Sequence, residues 1–209
     1  MTLTDSLRCA RIVAIVRGSE PEAALQAVLT LVEEGIEVVE VSLTTANATT
    51  VIARARKSLG TGASLGAGTV VTAEDATRAA DAGAGFIVTP ALGPGIAEAR
   101  SRGLPVIAGA FTPSEVVEAM QRGADAIKLF PASLGGTGYL HALRDPFPQL
   151  AFVPVGGIDA DGARAYLAAG ATAVGIGSPL VADAASGGSL EELRRRARTF
   201  RHALQPAQP

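Results

Sequence analysis

The chain has 209 residues, of which 48% are apolar and 18% are charged, a composition typical of a globular protein rather than a disordered one. Its net charge of −2 and single cysteine, Cys9, argue against nucleic-acid binding, a disulfide framework and a multi-thiolate metal site. The sequence has neither the roughly 18 consecutive apolar residues of a membrane span nor a signal-peptide pattern, so we expect a cytoplasmic protein without a membrane partner.

Eight short apolar segments, each bounded by Gly, Pro or polar residues, are typical of buried parallel strands. They lie at 11–16, 38–42, 64–68, 86–89, 105–110, 126–130, 151–155 and 173–177. Segments with helical spacing separate them, and many of these end at a glycine that suits a helix C-cap: Gly35, Gly83, Gly103, Gly123 and Gly170. The strand centres recur about every 20 to 26 residues, the length of one strand and one crossover helix.

Eight such units predict an α/β fold, a compact (β/α)₈ TIM barrel that forms one domain over residues 1–209. A short helix at about 3–9 is expected to cover the bottom of the barrel, and a frayed tail is expected at about 203–209. A doubly wound open sheet is the alternative, because the number of strands does not show whether the sheet closes. In a barrel, reactive groups are expected at the carboxyl ends of the strands.

The sixth apolar segment, within GADAIKLFPAS, contains Lys128 among hydrophobic residues. Burying an ammonium group is costly, and the chain has only two lysines against sixteen arginines. Lys57 fits a solvated helix end. Lys128 has a different explanation, because a desolvated lysine, unlike arginine, can lose its proton and attack a carbonyl carbon. An ion pair with Glu40 that serves only packing is the alternative.

Glu40 is the predicted catalytic partner of Lys128. Side chains alternate between the two faces of a strand, and branched residues occupy the face opposite to each of these two, so both are expected inside the barrel. A carboxylate across the barrel from an imine-forming amine can shuttle protons during the reaction. Phe130 shares the face of Lys128 and is a candidate for substrate contact.

Other candidate substrate contacts lie at the ends of the first, third and fourth strands. Arg17 ends the first strand and can bind a carboxylate through two parallel hydrogen bonds, although a rim ion pair explains it equally well. Thr69 closes GAGT after the third strand, and Thr89 and Pro90 close the fourth. Their hydroxyl groups, or nearby backbone amides, can contact a substrate.

Glycine turns follow the last two strands. Gly156 and Gly157 end the seventh, and Gly177 and Ser178 end the eighth. Glycines let backbone N–H groups approach an anion, and barrels often bind phosphate after strands seven and eight. These four residues are therefore the predicted phosphate site, with tight turns that merely require positive φ as the alternative.

Four segments, GIEVVEVSLTT, LGAGTV, GADAIKLFPAS and PVGGI, resemble in this order the family of 2-keto-3-deoxy-6-phosphogluconate (KDPG) and 4-hydroxy-2-oxoglutarate (KHG) aldolases, from about Ile12 to Val181. The resemblance implies a homotrimeric (β/α)₈ class I aldolase, a lyase that needs no metal or other cofactor. It implies that Lys128 forms a Schiff base with the substrate ketone and that Glu40 is the acid and base. The pyruvyl site would be lined by Thr69 and Pro90, and the phosphate would lie at Gly156, Gly157, Gly177 and Ser178.

The implied reaction is reversible cleavage of KDPG to pyruvate and glyceraldehyde 3-phosphate, with KHG, which yields pyruvate and glyoxylate, as an additional substrate. Two departures leave the sugar configuration open. Thr44 stands where the phosphogluconate enzymes often have arginine, and Val155 resembles the branch that acts on 2-keto-3-deoxy-6-phosphogalactonate (KDPGal). A phosphosugar epimerase or isomerase and a non-catalytic phosphosugar-binding barrel are further alternatives that share the glycine turns.

Overall fold

Eight parallel strands alternate with helices through residues 1–205, the part of the chain that the computed structural model describes. The strands are β1 (Ile12–Val16), β2 (Val38–Ser42), β3 (Ser64–Gly68), β4 (Ile87–Val88), β5 (Val106–Ala110), β6 (Ala126–Leu129), β7 (Phe152–Pro154) and β8 (Val174–Ile176). The helices are α1 (Leu3–Ala10), α2 (Pro21–Glu33), α3 (Ala48–Leu59), α4 (Ala73–Asp81), α5 (Pro94–Ser101), α6 (Pro113–Gln121), α7 (Gly136–Arg144), α8 (Ala160–Ala168), α9 (Ser178–Val181) and α10 (Leu190–Leu204). None of these helices combines the length and the apolar composition that crossing a bilayer requires.

The strands form one sheet in the order β7-β6-β5-β4-β3-β2-β1-β8, and every neighbouring pair is parallel. The two ends of this order meet. Val155 bridges Gly175, and the Thr172 N–H donates a hydrogen bond of 2.9 Å to the Phe152 carbonyl. The sheet is therefore the predicted (β/α)₈ barrel and not the doubly wound alternative.

Local sequence signals begin and end the helices. Reciprocal capping boxes join Thr2 to Asp5, Thr72 to Asp75 and Thr112 to Glu115 at the starts of α1, α4 and α6. The five glycines predicted as C-caps all adopt left-handed φ values, from 72° at Gly103 to 92° at Gly170. These sharp ends keep the connections short, which holds each strand close to its crossover helix.

The hydrophobic side chains form an outer layer between sheet and helices and a separate cluster inside the barrel. Leu3 and Leu7 of α1 belong to the inner cluster, so this helix closes the bottom of the barrel as predicted. Residues 203 and 204, which were expected to be frayed, belong to α10, which ends at a buried Leu204. The remainder of that prediction, residues 206–209, lies outside the described residues.

Glycine makes room for the largest side chain inside the barrel. Phe86 is 1% exposed, and a Cβ atom at Gly66 would lie 2.5 Å from its ring. Real carbon contacts do not come that close. The floor of the barrel is therefore packed by a glycine on β3 against an aromatic ring that precedes β4, and no side chain fits at Gly66 without displacing the ring.

Replacing Gly66 with alanine should destabilise the protein. The added methyl group overpacks the barrel interior, so we expect the free energy of unfolding to fall by roughly 1–3 kcal/mol, measured by urea denaturation. Gly138→Ala is the matched control, because its methyl group meets no atom within 4 Å and lies in α7. We expect this control to be neutral or to gain up to about 1 kcal/mol. Equal stability of wild type and Gly66→Ala would contradict the packing argument.

Candidate functional site

Lys128 and Glu40 project into the barrel from opposite sides. Their strands, β6 and β2, are four places apart in either direction around the closed ring. Both side chains are buried: Glu40 is 2% exposed and Lys128 is 7% exposed. Together with aliphatic side chains they line a cavity of about 10 Å³, which has room for about one water molecule. The predicted positions of the two residues inside the barrel are confirmed.

The amine and the carboxyl are not engaged with each other. Within residues 1–205, neither Lys128 nor Glu40 takes part in an ion pair of 4.0 Å or less. Instead, Lys128 Nζ lies 5.3 Å from the centroid of the Phe130 ring, close enough for a cation–π interaction. The packing ion pair, considered above as an alternative, is therefore not formed, and Lys128 Nζ has no carboxylate partner among the described residues.

Glu40 lies in surroundings that favour its neutral form. Burial raises the pKa of the Glu40 carboxyl above its ordinary value, and the positive charges of Lys128 and Arg17 oppose this effect only in part. Gly68 leaves the space for the carboxyl, since a Cβ atom there would lie 2.3 Å from Glu40 Oε1. A carboxyl group of this kind keeps its proton to a higher pH than an exposed glutamate does.

A chain of three hydroxyl groups joins the ends of β2 and β3. Ser42 Oγ lies 2.8 Å from Thr44 Oγ1 and 2.8 Å from Thr69 Oγ1. Arg17 Nε donates a longer hydrogen bond of 3.4 Å to the same Ser42 oxygen. Ser42 was not among the predicted site residues. Its position two residues after Glu40, on the same face of β2, was the signal that could have identified it.

A cavity of about 560 Å³ opens at the carboxyl ends of β1, β6, β7 and β8. It brings together six of the predicted site residues: Arg17, Phe130, Gly156, Gly157, Gly177 and Ser178. Gly156 and Gly157 have φ values of 120° and 67°, a region that favours glycine. Ile15 and Val155 line both this cavity and the small one beside Lys128, so the two cavities are neighbours.

Thr89 and Pro90 lie apart from this cavity, at the end of β4. Thr89 is 1% exposed, and its Oγ1 accepts a hydrogen bond of 3.2 Å from the Gly109 N–H. The Pro90 carbonyl packs on Gly109, where a Cβ atom would approach it to 2.3 Å. Gly109 lies on β5 and pairs in register with Lys128 on β6. Thr89 and Pro90 therefore pack against β5, the strand next to the one that carries the lysine.

A further cavity, of about 360 Å³, lies at the opposite end of the barrel and includes Ser6, Arg11, Glu37 and Arg201. It contains none of the predicted site residues. Within the described part of the chain, no group of three or more His, Cys, Asp and Glu side chains is placed to hold a metal ion. Among residues 1–205, the buried charged side chains are Glu40 and Lys128, which line the small cavity inside the barrel instead.

Three comparisons relate the chain to known proteins. The sequence model of the family described as KDPG and KHG aldolase matches residues 3–194. The chain is 35% identical over 170 residues to 2-dehydro-3-deoxy-phosphogluconate aldolase of Treponema pallidum, which covers 80% of each chain. It is 32% identical over 198 residues to 2-dehydro-3-deoxy-6-phosphogalactonate aldolase of Escherichia coli, with 94% of this chain and 95% of that one covered.

A solved structure shares the fold and was captured with a small molecule. It is the KDPG aldolase of Legionella pneumophila, with pyruvate captured at low pH as a covalent carbinolamine intermediate. The TM-score is 0.80 at 28% sequence identity, and the match covers 97% of this chain and 95% of that one.

The pH dependence of the protein's stability should reveal the raised pKa of the buried Glu40 carboxyl. Because the pKa of Glu40 is raised, the folded protein keeps this proton to a higher pH than the unfolded chain, whose carboxyl titrates near 4.5. As the pH rises from about 4 to about 8, wild type should therefore lose stability relative to Glu40→Gln.

Urea denaturation across this pH range measures the difference between the two proteins. Glu20→Gln, at an exposed position without a capping hydrogen bond, is the control, and its curve should run parallel to that of wild type. If the free energy of unfolding of wild type minus that of Glu40→Gln stays constant or increases with rising pH, the carboxylate is not unfavourably buried.

Proposed function

Since the chain belongs to the family of KDPG and KHG aldolases and is therefore a lyase, we propose that it is a class I aldolase that cleaves KDPG reversibly to pyruvate and glyceraldehyde 3-phosphate. One observation carries the proposal. The buried amine of Lys128 faces the buried carboxyl of Glu40 across a barrel whose open end has a cavity lined by glycine turns. An amine without an ion-pair partner and a nearby proton carrier are what imine formation requires.

Imine formation is the first half of the proposed reaction. The neutral Lys128 nitrogen attacks C2 of the ketone, so that a C–N bond forms as the C=O π bond opens. The proton that the nitrogen then loses passes to the oxygen and gives a carbinolamine. Glu40 in its neutral form then donates a proton to the carbinolamine hydroxyl, which leaves as water, and a protonated imine remains. The carbinolamine with pyruvate in the Legionella pneumophila relative supports this order of events for the present chain.

Cleavage of the C3–C4 bond is the second half. The Glu40 carboxylate accepts the proton of the C4 hydroxyl, and the electrons of the C3–C4 bond move into the protonated imine to form an enamine. C4 and its oxygen become the aldehyde group of glyceraldehyde 3-phosphate, which leaves. Protonation of the enamine at C3 and addition of water then release pyruvate and restore the free Lys128 amine.

The ends of the substrate require two anion sites. We assign the carboxylate to Arg17 and Thr69, which are linked through Ser42. The pyruvyl part would lie near Thr89, Pro90 and Phe130. The phosphate would be held by the turns that border the larger cavity, at Gly156, Gly157, Gly177 and Ser178, where the absence of side chains at the glycines exposes backbone N–H groups.

KHG has the same 2-keto-4-hydroxy acid core, so we include it among the substrates, with glyoxylate as the aldehyde product. We also propose that the protein acts as a homotrimer in the cytoplasm. Exposed apolar side chains at Val71, Val117 and Met120 offer surface for subunit contacts. The exposed free thiol of Cys9 suits a reducing compartment.

The imine is the step to test first. Sodium borohydride added with pyruvate should leave one reduced pyruvyl adduct per chain, mapped to Lys128 by peptide mass analysis. Lys128→Arg should form no adduct and should lower kcat for KDPG cleavage by at least about 10⁴-fold, because arginine stays protonated. Cleavage is followed by coupling pyruvate release to lactate dehydrogenase.

Lys57→Arg is the matched control, because it removes the other lysine of the chain and should keep both the adduct and the activity. An adduct on Lys57, or cleavage without any adduct, would contradict the imine mechanism. A folded protein that neither forms the adduct nor cleaves any 2-keto-3-deoxy acid would instead favour the isomerase or the non-catalytic binding barrel.

A second candidate substrate is KDPGal, and Val155 is the observation that favours it. This side chain is buried and lines both cavities, between the Lys128 amine and the glycine turns. The middle of the substrate, with its C4 hydroxyl, is expected to pass this position. An aliphatic side chain offers that hydroxyl no hydrogen bond in either configuration, so this wall discriminates weakly between the two epimers.

We therefore expect kcat/KM for KDPG and for KDPGal to differ by no more than about tenfold. The measurement is the coupled pyruvate assay on both epimers, with KHG as a third substrate. A preference for KDPGal would assign the second candidate function. A preference for KDPG well above 100-fold would mean that a hydrogen-bonding group, rather than the Val155 wall, selects the epimer.

A further inference from the structure

The Ser42 hydroxyl is the centre of a polar network that the mechanism above does not explain. Ser42 is fully buried, whereas Thr44 is exposed at the mouth of the barrel. Besides its two contacts of 2.8 Å with Thr44 and Thr69, the Ser42 oxygen receives longer contacts of 3.4 Å from Arg17 Nε and from the Thr44 N–H. One oxygen atom thus joins an arginine to two threonines.

The number of protons in this network restricts its arrangement. A serine hydroxyl has one proton to donate and accepts through its lone pairs. The two short contacts of Ser42 therefore cannot both be donated by Ser42: at least one threonine must donate to it, and the other either accepts the Ser42 proton or donates as well. The network can run from Thr44 through Ser42 to Thr69 or in reverse, or both threonines can donate to Ser42.

A bound anion selects one of these directions. If the Thr69 hydroxyl donates its proton to a carboxylate, Thr69 can contact Ser42 only as an acceptor. Ser42 must then donate to Thr69, and its remaining short contact requires a proton from Thr44. Each hydrogen bond in such a chain polarises the next, so the donor at Thr44 strengthens the bond that Thr69 makes to the anion.

Arg17 is oriented by the same oxygen. Its Nε atom points to Ser42, so its two terminal nitrogen atoms are left to bind a ligand, and the side chain borders the larger cavity. Among residues 1–205, Arg17 takes part in no ion pair of 4.0 Å or less. An arginine of this kind has its charge available for a ligand anion.

From these contacts we infer that Ser42 and Thr44 are positioning residues, which direct the Thr69 hydroxyl and the Arg17 guanidinium toward the carboxylate of the keto-acid substrate. The inference rests on the proposed function, because it takes the ligand to be a 2-keto acid. It adds that recognition of the carboxylate depends on a threonine that need not touch the substrate. Thr44 supplies the proton that orients the chain of hydroxyls.

The test measures the pyruvate concentration that gives half-maximal borohydride trapping on Lys128. Thr44→Val keeps the shape of the side chain and removes its proton, so we expect this concentration to rise roughly 2- to 10-fold, the effect of one lost hydrogen bond. Thr44→Ser retains a hydroxyl and should restore the wild-type value. Thr50→Val, at an exposed position in α3, is the matched control and should change nothing.

Two further measurements separate positioning from a general loss of structure. Inhibition of KDPG cleavage by inorganic phosphate, which has no carboxylate, should be the same for wild type and Thr44→Val. In the background of Ser42→Ala, which cuts the chain, Thr44→Val should have no additional effect on trapping. Thermal unfolding of each variant shows whether it is folded under the assay conditions.

The outcomes are distinguishable. The inference would be overturned if Thr44→Val trapped pyruvate at the same concentration as wild type. It would also be overturned if the effects of Thr44→Val and Ser42→Ala were additive. Either result would leave the aldolase proposal intact. Failure of Thr44→Ser to restore trapping would also overturn the inference. Absence of any adduct in the wild type would instead overturn the proposed function on which the inference rests.

Discussion

An amine and a carboxyl group buried in an apolar barrel without pairing to each other are the constraint on which the rest of this structure depends. Removing either charge from water is costly, and a close ion pair is the usual compensation. Here Glu40 is shifted toward its neutral form, and the Lys128 ammonium lies against the Phe130 ring. This arrangement costs stability, and it leaves Lys128 Nζ without a close carboxylate partner among the described residues.

Glycine provides space for the Glu40 carboxyl and for the Val155 side chain. Gly68 makes room for the Glu40 carboxyl, and at Gly175 a Cβ atom would lie 2.5 Å from the Val155 side chain. At the other end of the barrel the interior is filled by Phe86 against Gly66 and is covered by α1. The barrel interior is thus tightly packed at the end that α1 covers. The cavity that includes Arg17 and the glycine turns opens at the other end, at the carboxyl ends of the strands.

The parts of the site that could be predicted were those with a strong local signal. A lysine within an apolar strand is conspicuous, and glycine pairs at strand ends are easily identified. Ser42 was missed because its place on the face of Glu40 is a weak signal by itself, and two of its three hydrogen-bond neighbours, Arg17 and Thr69, are distant in sequence. Thr89 was predicted from its position at a strand end, but its hydroxyl accepts a hydrogen bond from the backbone of β5.

The sequence by itself determined the eight strands to within one residue at each end, the helices between them, and which face of each strand carries Glu40 and Lys128. Periodicity and capping are local properties of the chain, so they can be deduced without the fold. Only the tertiary structure decided that β7 meets β8, which places Gly156 and Gly177 at one cavity and sets β2 opposite β6. Ring closure determines which strands are neighbours and which lie opposite each other. It also determines the burial that raises the pKa of Glu40. Both depend on residues that are far apart in the chain.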